Sequence, residues 1–131
     1  MRTLMHIAAV LALGFLSAAD VLYAQNGLDS LKASQLRHKL SEYYDALKYE
    51  SPEIRQAECD FLIESATDSL VRQFVALDIY RHYMESHVMG AENVAVHVFD
   101  KWFSTGNVRM KSDADYMAAM VYAEFNRQSL L

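Results

Sequence analysis

The chain has 131 residues, 53% hydrophobic and 22% charged, with four Gly, one Pro and a formal net charge of −5. That balance suits one folded domain and argues against disorder or low complexity, while so few Gly and Pro leave little material for the tight turns of an all-β fold. No Lys/Arg run interleaves with aromatics, so a nucleic-acid surface is not expected, and the acidic balance speaks for solubility without naming a partner.

At the start, Met1-Arg2-Thr3 is a short positive segment, Leu4 to Leu16 is apolar apart from His6, and the small residues Ser17-Ala18-Ala19 precede Asp20. This pattern reads as a secretory signal peptide within residues 1–24. Ser17 and Ala19 suit a cut after residue 19, and Ala24 offers a competing cut after 24. The apolar run is shorter than the roughly 20 residues a membrane span needs, and Asp20 blocks its extension. The expectation is therefore a periplasmic or otherwise exported protein with no stable membrane insertion after cleavage, leaving 25–131 as a single helical domain. Cys59 is the only cysteine, so no intrachain disulfide can staple that domain.

The first helix is expected at about 30–49, with Ala33, Leu36, Leu40, Tyr43, Tyr44 and Leu47 on one narrow stripe and Arg37 among the polar remainder. Ser51-Pro52-Glu53 is a start signal: a capping Ser, Pro at the first helical position, and an acid at the positive dipole end. The helix that follows, about 52–66, is expected to bury Ile54, Ala57 and Phe61, with Leu62 and Ile63 beside them. Thr67-Asp68-Ser69 offers caps for a third helix. In that helix Leu70, Val71, Phe74 and Val75 are apolar, whereas Asp78, Arg81, His82 and Glu85 occupy the same sector further on. One end is thus expected to be buried and the other exposed.

His87-Val88-Met89-Gly90 interrupts the pattern. In Ala91 to Ser104, at about 100° per residue, Ala91, Val94, Ala95, Val96, Val98, Phe99, Trp102 and Phe103 fill one broad arc. The alternation of Val94, Val96 and Val98 alone would suit a strand, but period two breaks at Asp100-Lys101-Trp102-Phe103. Gly106 is placed to take a left-handed cap, Val108 and Met110 to tuck onto the core, and Ser112 with Asp115 resembles a capping box. The last helix, about 113–128, is apolar almost all round, so it is expected to be central or covered by something else. The fold class is all-α: about five helices in an antiparallel bundle or helical array. Tetratricopeptide-like stacking is an alternative, though no aligned repeat supports it.

Little in this chain has catalytic spacing. Asp78, His82 and Glu85 share a helical face and could converge on a metal or a proton. The competing reading is a solvated charged face in which Arg81 pairs with Asp78 and Glu85. His97 is expected to be solvated, and the Cys59 thiolate is disfavoured by Glu58 and Asp60 on either side. There is no phosphate loop, CxxC or HExxH, and no catalytic, cofactor-binding or metal residue is assigned.

From Phe74 to Leu131 the sequence resembles a helical domain of unknown function in exported proteins of Gram-negative gut bacteria. The resemblance is carried by His87-Val88-Met89-Gly90, by Trp102-Phe103 before Gly106, and by Glu124-Phe125-Asn126-Arg127. In that family a thioredoxin-like domain commonly follows the helical one. The resemblance implies a non-catalytic accessory domain of an exported thiol–disulfide protein, truncated here before the redox domain, which is its expected partner. The alternative is a complete stand-alone exported module that binds a protein partner. A helical enzyme using Asp78 and His82 is a third class.

Overall fold

A computed structural model describes residues 30–129, so the segment read as a signal peptide lies outside the described residues. Five helices follow one another with no strand among the described residues: α1 (Ser30–Ala46), α2 (Pro52–Ser65), α3 (Ser69–Glu85), α4 (Ala91–Val98) and α5 (Asp113–Ser129). Helix α4 runs on into a π-helical turn, Phe99–Phe103. The chain is all-α, with boundaries within about three residues of those expected from periodicity.

Helix α4 is the centre of the fold and packs against α2, α3 and α5. All eight residues of its expected apolar arc, from Ala91 to Phe103, are buried. Its entry depends on Gly90, which takes the left-handed region at φ +84°. A Cβ at Gly90 would also stand 2.6 Å from Cγ of Pro52, so both conformation and space demand glycine there.

Local signals act much as their chemistry predicts. The Ser51 hydroxyl accepts the Ile54 N–H at 3.3 Å, with Pro52 at the first helical position. Asp68 is the cap of α3, accepting from the N–H groups of Leu70 and Val71 at 3.1 Å each. Ser112 Oγ accepts the Asp115 N–H at 3.1 Å. Val108 is buried, and its N–H donates to the Trp102 carbonyl at 2.8 Å, folding the connecting loop back onto the π turn.

Two faces depart from expectation. Helix α2 buries Arg55, Glu58, Cys59, Leu62 and Ile63, while Ala57 is exposed and Ile54 and Phe61 are half-buried. The inner face is rotated because its charged members take part in hydrogen bonds inside. Tyr43 Oη donates to Glu58 Oε2 at 2.6 Å, and Arg55 donates to the carbonyls of Glu50 at 3.1 Å and Met89 at 2.9 Å. A buried charge is tolerated once hydrogen-bonded in this way. Helix α5 is peripheral, not central. Of its described side chains only Ala119 and Ala123 are buried, and Met117, Val121 and Phe125 are 53%, 60% and 70% exposed.

Candidate functional site

Helix α3 has a buried edge, Val71, Val75, Ile79 and Tyr83, against α4 and the core. A second edge, Leu70, Phe74, Leu77, Arg81 and Met84, lines an open groove of about 760 Å³. Ala33 and Arg37 of α1 form one wall, Asp115, Ala118 and Ala119 of α5 the other, and Met110 and Lys111 of the intervening loop complete it. Gln73 donates to the Arg109 carbonyl at 2.7 Å, which ties that loop to α3. The size falls within the range of ligand pockets, as does a mostly apolar lining with a few polar groups.

Asp78 is the polar anchor of this groove. It is 7% exposed, although its place among charged residues suggested solvent. Tyr44 Oη donates to its Oδ2 at 2.7 Å, Arg81 to its Oδ1 at 3.1 Å, and Arg37 Nε stands 3.5 Å from the same oxygen. One carboxylate thus gathers guanidinium groups from two helices. Both arginine side chains remain 54% exposed, and Arg37 also lies over the Phe74 ring, 5.3 Å from its centroid. With five N–H donors on each guanidinium, these contacts use only part of their hydrogen-bonding capacity.

The four residues singled out on α3 therefore part company. Asp78 and Arg81 meet, as their three-residue spacing predicts. His82 turns away to stack on Tyr44, ring centroids 3.9 Å apart and planes 11° from parallel. Burial lowers its pKa, against the pull of Asp78, Asp45 and Glu85. Glu85 is exposed. Among the described residues no group of three His, Cys, Asp or Glu side chains could hold a metal ion.

A second polar cluster joins α2 to α4 and the π turn. Asp60 Oδ2 lies 2.8 Å from His97 Nε2 and accepts from Lys101 Nζ at 3.1 Å, while its Oδ1 accepts from Trp102 Nε1 at 2.8 Å. Burial raises the Asp60 pKa, but hydrogen bonds from His97, Trp102 and Lys101 outweigh it and hold the carboxyl below its usual range. His97 is therefore a hydrogen-bond partner of Asp60, half-buried, and not a solvated side chain. An ideal helix would spread positions 97, 101 and 102 over about 140°. The wider π turn, closed by the Ser104 N–H on the Phe99 carbonyl at 2.8 Å, lets all three converge on one carboxylate.

The third cluster is sealed. Cys59 is fully buried. Burial first, then Asp60, pushes its thiol pKa up, and contact with the Tyr83 hydroxyl only partly offsets this. Such a thiol is neither nucleophile nor metal ligand at neutral pH.

The groove and the Asp60 cluster both escaped the sequence reading. Arg37 stands 41 positions from Asp78, and His97 stands 37 from Asp60, so no local pattern announces either. The i, i+4 spacing of His97 and Lys101 was the one available sign. No family model, curated protein or solved structure matches the chain.

Proposed function

We propose that this chain is a non-catalytic helical accessory module of an exported thiol–disulfide protein, which packs against a thioredoxin-like domain or presents partners to it. The observation that carries the reading is the outer face of α5, where Met117, Val121 and Phe125 follow one another at four-residue intervals and stand half or more exposed. Large apolar side chains aligned on an exposed face mark an interaction surface. The resemblance supplies the nature of the cover, since in that family a thioredoxin-like domain follows the helical one and would adjoin α5. The polar clusters support a packing role: Asp60, Asp78 and Glu58 each take hydrogen bonds from a neighbouring helix or from the π turn. Export is supported by the charge and apolarity of residues 1–24.

The DNA beyond the Leu131 codon tests this reading. The expected result is an in-frame thioredoxin-like continuation whose product, joined to this chain, slows amide exchange across 113–127. An immediate stop before an unrelated gene would contradict it. That outcome would favour a stand-alone exported helical protein-interaction module, a second reading to which the groove over α3 lends specific support.

A further inference from the structure

The groove-facing edge of α3 has a regular spacing. Leu70, Phe74, Leu77, Arg81 and Met84 stand four, three, four and three residues apart, the interval of a coiled-coil seam. Such a seam buries itself against another helix, yet among the described residues α1 and α5 line its two sides and leave the line between them open. The seam covers fourteen residue steps, about 21 Å of helix. The walls carry Ala33, Ala118 and Ala119, side chains short enough to let a helical backbone approach. At about 760 Å³ the space far exceeds one inserted side chain. These features suit a helix laid lengthwise, held by residues at three- and four-residue spacing.

Charge sets the kind of helix. Arg37, Arg81 and Lys111 face the groove against Asp78 and Asp115, three cations to two carboxylates, on a chain whose net charge is −5. The two arginines share the single buried Asp78, which leaves donors on each for further carboxylates.

We propose that the groove over α3 seats an amphipathic helix of a protein partner, one with an apolar stripe at three- and four-residue intervals flanked by carboxylates. The proposal rests on reading the chain as an interaction module, but not on the redox domain or on the outer stripe of α5.

The test uses the full chain and three fluorescein-labelled synthetic helical peptides of about fourteen residues. The first has Leu at alternating three- and four-residue steps with Glu flanks, the second has Lys in place of Glu, and the third keeps the acidic composition with the Leu spacing scrambled. Fluorescence anisotropy is expected to show saturable binding of the first and binding of the other two weaker by about tenfold or more. Leu77→Glu should abolish binding. Lys111→Glu, at an exposed position that leaves the fold intact, should weaken the acidic peptide and strengthen the basic one. No saturable binding of the acidic peptide, or equal binding of all three, would overturn the proposal. So would a dimer that Leu77→Glu converts to monomer, because the occupant would then be a second copy. The peptides are read without any redox domain, so their failure leaves the α5 reading standing, and failure of a redox domain to dock leaves the groove result standing.

Discussion

Asp60 is where one side chain holds most together. Its carboxylate, 14% exposed, joins α2 to His97 on α4 and to Lys101 and Trp102 on the π turn. Asp60→Asn keeps the shape but removes the charge that strengthens these bonds. Urea denaturation at pH 7 should show a loss of about 2 kcal/mol. The sign with pH follows from the depressed folded-state pKa of Asp60. Its stabilising effect is full above the ordinary carboxylate pKa and is lost as pH falls through the lower folded value. Denaturation midpoints of Asp60→Asn should therefore decline less steeply than those of the parent below about pH 4.

His82 acts in the same direction nearer neutrality. Burial lowers its pKa in the folded state, so folding favours the neutral ring stacked on Tyr44. Stability should be full above the ordinary histidine value and fall as acid protonates the ring. His82→Phe keeps an aromatic surface against Tyr44 without a titrating nitrogen. Its urea midpoint should vary less than the parent's between about pH 6.5 and pH 5, and an unchanged slope would count against this assignment.

Among the helices, α4 is the one that periodicity describes best. Eight large or small apolar residues on one arc are sufficient to bury it, whatever its neighbours. Helix α2 shows the opposite case. Arg55 and Glu58 line its inner face where Tyr43 and the carbonyls of Glu50 and Met89 hydrogen-bond with them, and two of those three partners lie 15 and 34 residues away. A pattern that treats charge as exposed turns such a helix the wrong way. The groove is hidden for a related reason: its anchor, Asp78, is drawn inward by Tyr44, 34 residues earlier. For α5, periodicity sees the apolar surface correctly but does not choose between a central helix and one that something else covers; among the described residues it stands at the periphery with that surface exposed.

Two glycines, one at the junction between α2 and α4 and one after the π turn, allow a comparison. Both Gly90 and Gly106 hold positive φ, +84° and +83°, but only Gly90 lies against another residue, Pro52. Gly106→Ala should cost roughly 1 kcal/mol from backbone strain alone. Gly90→Ala adds a steric clash and should cost clearly more, about 3 kcal/mol. Chemical denaturation of the two variants side by side checks the difference, and equal losses would mean that the contact with Pro52 carries no weight.

At the scale of the molecule, the core closes around α4, while among the described residues two surfaces stay apolar and open, the outer face of α5 and the groove over α3. The account rests on those surfaces serving a partner and not the chain's own packing. The most direct measurement is the thermal midpoint of the double variant Met117→Glu, Val121→Glu. If the stripe is kept for something else, the midpoint should stay within about 3 °C of the parent, because exposed substitutions of this kind change stability little. A fall of about 8 °C or more would show that these side chains already support the fold, and would contradict the account.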